Sequence, residues 1–374
     1  MLNVAIIGAG LIGRKRAESI KAFGSCRISA VADIDSQRAE SLAKEFGAWH
    51  APSWKDAVAG KEIDACVVAT FNASLAGIAI AALQNKKHVL CEKPLGVTSN
   101  ESLQMIEAAE QNRRILKTGF NHRHHPAMIL AKRLLDEGGI GGLCFLRCRY
   151  GHGGRPGYEN EWRADRKKSG GGELLDQGVH VLDLLRWFAG EFTRVYGVAE
   201  KYFWDSRVED NAFATLKTNT GVVATMHTSW TQWKNIFSFE AFGKDGFLII
   251  DGLGGSYGKE TLRLGIRGKK GGAPREKVFE FNEPDCSWKE EWKEFLSAID
   301  FSSESPRPSR AVHGAVGLKD KGLGFVRTDQ GVRPMLGSGY DGFKANCLVE
   351  AIYESSLSGT VVSPLPFALD RELI

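Results

Sequence analysis

Apolar and polar positions along this chain follow two periods in turn. Leu2 to Ile7 is a short apolar run of the kind that forms a strand buried on both faces. Leu11 to Phe23 follows with helical spacing, and Cys26 to Ala32 is a second apolar run. The alternation continues through a helix over Ser36 to Phe46, a strand over Asp64 to Thr70 and a helix over Ala73 to Gln84. A strand through His88-Val89-Leu90, a helix over Ser99 to Gln111 and a sixth strand over Ile115 to Phe120 complete it. Strands joined by helical crossovers predict a parallel, doubly wound sheet.

Past residue 122 the pattern changes. Pro126 to Asp136 reads as a helix that starts on a proline and stops before Gly138-Gly139. Leu143 to Tyr150 opens a new sheet, Gly151 to Ser169 is a polar loop, and Val179 to Ala189 is helical. Strand-like runs follow at Val195–Phe203, Asn211–Thr218, Val222–Trp230, Phe237–Phe242 and Phe247–Ile250. Turn signals such as Asn219-Thr220-Gly221 and Lys244-Asp245-Gly246 separate them, which predicts antiparallel pairing. Helices at Trp288–Phe301 and Asp341–Leu357 flank a long polar segment, Ser302–Gly339. The expected architecture is α/β. A doubly wound N-terminal domain spans 1–122. A C-terminal α/β domain spans 123–374, with a large, open, mainly antiparallel sheet and an insertion at 302–339.

Composition adds limits. The 374 residues, 43% hydrophobic and 25% charged, suit two soluble domains. A net charge of +4 does not point to nucleic acid and leaves a weak bias toward anionic substrates. No run approaches the roughly 18 apolar residues of a membrane span. The strand-like start at Leu2 and seven cysteines without a C-x-x-C pair predict a cytoplasmic protein lacking a signal peptide. Cys144 and Cys148, four apart in one strand, are expected to share a face as core fillers.

The first strand runs into Gly8-Ala9-Gly10-Leu11-Ile12-Gly13, and Asp33 ends the second strand twenty residues later. Strand, G-x-G-x-x-G, helix and a delayed acid form the dinucleotide-binding fingerprint. Gly8 makes the tight turn, Gly10 admits pyrophosphate to the helix N-terminus, and Gly13 lets helix and strand pack. Asp33 suits the ribose hydroxyls. Followed by Ile34 rather than a basic residue, it predicts NAD over NADP. Leu11, Ile12, Ile34, Arg38, Thr70, Phe71, Asn72, Glu92, Lys93 and Asn121 complete the expected cofactor contacts, Asn72 alternatively serving as a helix N-cap.

Cys91-Glu92-Lys93-Pro94 follows a strand end, where open α/β sheets bind ligands. An ammonium there can polarise a carbonyl or alkoxide oxygen. Asn121-His122-Arg123-His124-His125-Pro126 fits no common zinc spacing, so we read His122 and Arg123 as a substrate rim and expect no metal. In the loop, Arg163 is either a substrate or pyrophosphate contact or part of a solvated surface. Gly170-Gly171-Gly172 then precedes Asp176 and His180, four apart and on one face of a helix. A carboxylate beside an imidazole can orient its tautomer and raise its basicity.

Taken in order, Gly8-x-Gly10-x-x-Gly13, Glu92-Lys93-Pro94, Asn121-x-Arg123 and Gly170-Gly171-Gly172 with Asp176-x-x-x-His180 resemble the glucose-fructose oxidoreductase/inositol dehydrogenase/MocA (Gfo/Idh/MocA) family. Ala351-Ile352-Tyr353-Glu354-Ser355 resembles it too. The resemblance implies an N-terminal Rossmann domain and NAD(P)-dependent oxidation or reduction of a sugar, sugar derivative or cyclitol. It implies that Lys93 and His180 face the substrate with Asp176 alongside, and that the bond before Pro94 is often cis. On that basis Lys93, Asp176 and His180 are the expected catalytic residues, and His122, Arg123, Arg163, Asp176 and His180 the expected substrate contacts. The expected partner is a small-molecule sugar or cyclitol, with a homodimer or homotetramer formed through the aromatic outer face of the C-terminal sheet. Two other classes stay open: a glycosidase acting through transient oxidation, and an NAD-sensing binding protein. The 302–339 segment, with Arg307, Arg310, Arg327 and Arg333, departs from the family pattern. It either folds over the active-site mouth to select an anionic sugar or packs locally.

Overall fold

The computed structural model describes residues 1–304, 324–328 and 331–364. They form two compact units, Met1–Asn121 with the described residues of 288–343, and His122–Ser287 with the described residues of 344–364.

In the first unit, strands β1 (Leu2–Ile7), β2 (Cys26–Ala32), β3 (Trp49–His50), β4 (Ala65–Val68), β5 (His88–Glu92) and β6 (Leu116–Gly119) alternate with helices α1 (Leu11–Lys21), α2 (Ser36–Phe46), α3 (Trp54–Ala59), α4 (Asn72–Gln84) and α5 (Ser99–Asn112). The sheet order is β3-β2-β1-β4-β5-β6, and every neighbour pair is parallel. Strands β1 and β4 are central, and Val4–Ile7 and Ala65–Val68 are buried throughout. That explains their unbroken apolar runs. Strand β3 leaves no such signature because it has two residues and Trp49 is exposed. Helix starts follow local chemistry. Asp35 and Thr98 accept the backbone N–H groups of Arg38 and Glu101, both at 3.2 Å. Helix α4 departs from expectation: Phe71 is its N-cap residue and Asn72 its first helical residue.

The second unit opens with a 3₁₀ turn at Asn121–His124 and helix α6 (Pro126–Asp136). Strand β7 (Leu143–Gly151), the short helix α7 (Arg166–Ser169), a π-helical turn at Leu174–Gly178 and α8 (Val179–Ala189) follow. Strands β8 (Phe192–Glu200), β9 (Asn211–Thr218), β10 (Val223–Ser229), β11 (Ile236–Gly243), β12 (Gly246–Asp251), β13 (Glu260–Ile266) and β14 (Arg275–Phe281) complete an eight-stranded sheet with β7. Its order is β14-β13-β12-β11-β7-β10-β9-β8, and only the β7–β10 pair is parallel. Leu146, Cys148 and Tyr150 point into the core, while Phe145 and Arg147 lie outward, with Phe145 stacked on Phe242 and Arg147 over both rings. Cys144 does not share the burial of Cys148: it is exposed, because pairing shifts register between Phe242 and Gly243 opposite this end of β7. The loop after β7 is anchored rather than purely solvated, since Tyr158 packs with Val208 and Trp230.

The chain then returns to the first unit. Helix α9 (Ser287–Glu304) places Trp292, Phe295, Ala298 and Ile299 in the same core as Val4, Ile6 and Leu42. The hairpin β15 (Phe325–Thr328) and β16 (Gly331–Pro334) adds Val326 and Met335 to that core. Arg333 pairs with Glu294 at 2.6 Å and Arg327 lies over Phe301, so the described part of the 302–339 segment spends its arginines on local packing. Its Arg307 and Arg310 lie outside the described residues. Helix α10 (Gly339–Ser358) starts with a reciprocal cap: Asp341 N–H donates to Ser338 Oγ at 3.2 Å, and Ser338 N–H donates to Asp341 Oδ2 at 2.9 Å. Farther along in the second unit, Ser355 and Ser356 accept the Gly197 and Ala199 N–H groups of edge strand β8.

Candidate active site

The glycine loop of the first unit is shaped by contacts no larger residue permits. Gly8 has φ +101°. A Cβ on Gly13 would lie 1.8 Å from the Gly8 carbonyl oxygen, so helix α1 and its strand meet backbone to backbone. Gly10, by contrast, faces open space. It is the N-cap residue of α1, with no side-chain cap and no acid in the first turn. Uncapped N–H groups beside open space suit a pyrophosphate. Leu11 is exposed at this mouth.

Asp33 organises the next turn. Its Oδ2 accepts the Ala9 N–H at 2.6 Å and its Oδ1 accepts the Asp35 N–H at 2.8 Å. Ile34 is 85% exposed. A cavity beside the loop is lined by Ala9, Arg14, Asp35, Gln37, Arg38 and Ser41. Both arginines there are already paired, Arg14 with Glu45 at 2.5 Å and Arg38 with Asp35 at 3.0 Å. At the end of β4, Thr70 Oγ1 accepts from Ser74 Oγ at 2.9 Å, and Asn72 is buried.

Lys93 follows the last residue of β5, and its bond to Pro94 is cis. The structure gives Glu92 a different occupation from the expected cofactor contact. Its carboxylate is buried and takes Arg16 through Nε at 2.7 Å and Nη2 at 2.5 Å. Arg16 also holds Glu291, and Lys117 holds Glu294 at 3.0 Å. A Cβ on Gly119 would lie 2.8 Å from Arg16 and 2.9 Å from Glu92, so β6 leaves room for this network.

In the second unit the glycine run is tied down by Glu209, which sequence reading missed. Glu209 Oε1 accepts from Gly172 N–H at 3.0 Å, Leu174 N–H at 3.2 Å and Tyr353 Oη at 2.7 Å. A Cβ on Gly172 would fall 2.0 Å from the Glu209 carbonyl oxygen, and one on Gly171 would fall 2.4 Å from Tyr353 Oη. The run therefore gives close approach to Glu209 and Tyr353. It launches the π turn that carries Asp176 and Gln177 into α8, where His180 sits in the first turn. Asp176 accepts from Arg163 Nε at 3.0 Å, and the guanidinium lies 4.6 Å over Trp162. Arg163 is held charged: burial opposes the charge most, but Asp176, Tyr158 and Glu161 together outweigh it and raise the pKa.

The histidine-rich turn disperses into separate partners. His122 stacks on His180, ring centroids 3.8 Å apart, and its Nε2 meets Tyr150 Oη at 3.2 Å. Arg123, expected at the substrate, forks onto Asp183 through Nε at 2.7 Å and Nη2 at 2.6 Å and holds α8. His125 Nδ1 lies 3.0 Å from Glu260, whose other oxygen accepts the Ala127 N–H at 2.8 Å. Among the described residues no group of three or more His, Cys, Asp or Glu side chains could hold a metal ion. No helix there is long and apolar enough to cross a membrane.

A parallel six-stranded sheet with a complete glycine fingerprint, followed by a large mixed sheet, defines the two-part architecture of a dinucleotide-binding oxidoreductase. Residues 2–120 match the family model described as oxidoreductase family, NAD-binding Rossmann fold, and residues 128–249 match the GFO/IDH/MocA C-terminal domain. The chain belongs to the Gfo/Idh/MocA family of oxidoreductases. Among its relatives, levoglucosan dehydrogenase of Pseudarthrobacter phenanthrenivorans is 31% identical over 59% of this chain and 59% of its own length. The 1,5-anhydro-D-fructose reductase of Ensifer adhaerens is 30% identical over 65% of this chain and 74% of its own. The chain thus spans about three fifths of the first relative's length. A solved levoglucosan dehydrogenase in complex with NADH and levoglucosan shares the fold, with a TM-score of 0.80 and 23% identity over 97% of this chain and 99% of that one.

Proposed function

We propose that this protein is an NAD-dependent oxidoreductase acting on a secondary alcohol or ketone of a sugar, sugar derivative or cyclitol. The observation that carries the reading is an open, uncapped glycine loop in a chain that also keeps Lys93, Asp176 and His180. Gly8, Gly10 and Gly13 would hold the pyrophosphate and Asp33 the ribose hydroxyls. When bound, the nicotinamide supplies the hydride acceptor or donor.

On this reading His180 takes the hydroxyl proton of an alcohol, or returns it to a carbonyl. Lys93 stabilises the charge that develops on that oxygen. Asp176, bonded by Arg163, holds the polar end of the turn on which His180 rides. The test is absorbance of reduced nicotinamide with sugars, cyclitols and nucleotide-linked sugars. Net turnover of free NAD is expected. Glycoside cleavage without net turnover would support the glycosidase reading, and NAD binding without any reaction the sensor.

Cofactor choice rests on Asp33. A carboxylate repels a 2′-phosphate, and the nearby Arg14 and Arg38 are engaged by Glu45 and Asp35. Wild-type kcat/KM is expected to favour NAD, with Asp33→Ser narrowing the ratio by about tenfold, the equivalent of about 1.4 kcal/mol. Higher kcat/KM with NADP in the wild type would reject the assignment.

Arg163 gives a second expectation. Removing it leaves the Asp176 carboxylate without the guanidinium now bonded to it, so Arg163→Ala is expected to lower kcat/KM for substrate by about 10–100-fold, about 1.4–2.7 kcal/mol. KM for the cofactor is expected to hold. Unchanged KM and kcat with both ligands would return this loop to the surface.

A further inference from the structure

Two buried imidazoles in the second unit lie face to face. His122, from the 3₁₀ turn, and His180, from α8, have centroids 3.8 Å apart and ring planes 19° apart. Two rings so close and so buried do not both carry a proton charge, because like charges at this spacing drive one group neutral. The His122 ring is further placed by a run of side chains behind it.

Gln177 Nε2 donates to Tyr257 Oη at 3.0 Å. Tyr257 packs against Tyr150, ring centroids 4.9 Å apart. Tyr150 Oη in turn lies 3.2 Å from His122 Nε2. Tyr150 is fully buried, and burial pushes its phenol well above the usual range, so it stays a neutral partner. Tyr150 also meets His122 edge-on at 5.3 Å, and Phe237 closes another side at 6.2 Å. The remaining ionisable groups around this cluster are Glu173 and Asp176 on the π turn, Arg163 and His152 on the loop, and His125 at 5.9 Å with its Glu260 partner.

We propose that His122 is a positioning residue for His180: a flat ring, itself placed by Tyr150, Tyr257 and Gln177, against which the His180 imidazole is held. The inference rests on reading His180 as the proton-transferring residue. It assigns His122 a role within the protein in place of the substrate contact expected from sequence. It also explains why Tyr150, Tyr257 and Gln177, from three separate elements, converge behind this ring.

The test compares His122→Phe, which keeps a flat neutral ring, with His122→Leu, which keeps volume without one. Thermal midpoints check folding, and His122→Gln replaces the leucine variant if that fails to fold. His122→Leu is expected to lower kcat by about 10–100-fold, the scale of a misplaced reacting group, with KM for NAD unchanged. His122→Phe is expected to recover most of that loss. Wild-type kcat in His122→Leu, or equal losses in both variants, would overturn the proposal. A second readout needs no turnover: the ring-current displacement of the His180 Cε1–H resonance. It is expected in wild type and His122→Phe and lost in His122→Leu. Should no sugar turn over, the proposed function fails, and this resonance alone decides whether His122 holds His180. Its absence from the wild type rejects the stack.

Discussion

His180→Asn and Lys93→Met are each expected to lower kcat by about 10²–10⁴-fold, the usual worth of a positioned acid or base, without loss of NAD binding. Lys93 directly follows the last residue of β5, and its neighbour Glu92 is immobilised by Arg16, so the lysine starts from a fixed backbone. His180 is buried in the first turn of α8, set by the Glu209-bound glycine run on one side and by the His122 ring on another. Asparagine keeps a polar side chain of similar size but cannot exchange a proton near neutral pH. Methionine keeps the length of the lysine and removes its charge. Steady-state absorbance of reduced nicotinamide gives kcat, and quenching of protein fluorescence by NADH gives cofactor affinity. Near-wild-type kcat in either variant would remove that residue from the chemistry. Loss of NADH binding would move it to the cofactor site. The pH profile ranks the two roles, because the variant that loses the acid limb of kcat/KM has lost the base.

What the sequence made legible is what short-range geometry dictates. Gly8 and Gly13 are readable because the tight turn and the helix–strand approach admit no Cβ, and the strand and helix on either side identify the motif. Strands β1 and β4 announce themselves because both their faces are covered. Strand β14 does not: Arg275-Glu276-Lys277 and Val278 are all exposed at the edge of the sheet, so no apolar alternation survives. The site residues divide in the same way. Asp176 and His180 stand out through a spacing of four. Their neighbours Arg163, Glu209 and Tyr257 come from a loop, the turn before β9 and a glycine-rich turn, and only tertiary structure brings them together. Helix α9 shows the same limit. Its apolar stripe is readable, but nothing local says that Trp292 and Phe295 complete the core around Val4 and Leu42, far earlier in the chain.

The other large effect concerns stability and falls on Arg16. It is 1% exposed on α1, bonded to Glu92 at the end of β5 and to Glu291 on α9, with its guanidinium 4.4 Å over Trp288. Burial works against this charge, but Glu291 and Glu92 outweigh it and raise the Arg16 pKa. Arg16→Met is therefore expected to destabilise the first unit by about 3–5 kcal/mol, because it strands two buried carboxylates. Arg16→Lys should recover only part of that, since a single ammonium cannot reproduce a fork bonded to both partners. Urea unfolding followed by tryptophan fluorescence measures the loss, Trp288 and Trp292 lying on the helix that Arg16 engages. Removing Glu291 along with the arginine, as Arg16→Met/Glu291→Leu, should return much of the stability. The cost lies in the unpaired charge rather than in the missing contact. A loss under about 1 kcal/mol in Arg16→Met, the scale of an exposed pair, would show that the network is dispensable. In the expected case kcat falls as well, even where the protein remains folded, because Glu92 is bonded to Arg16 and adjoins Lys93, so the ion pair that holds α9 to the sheet also sets the backbone from which the lysine projects.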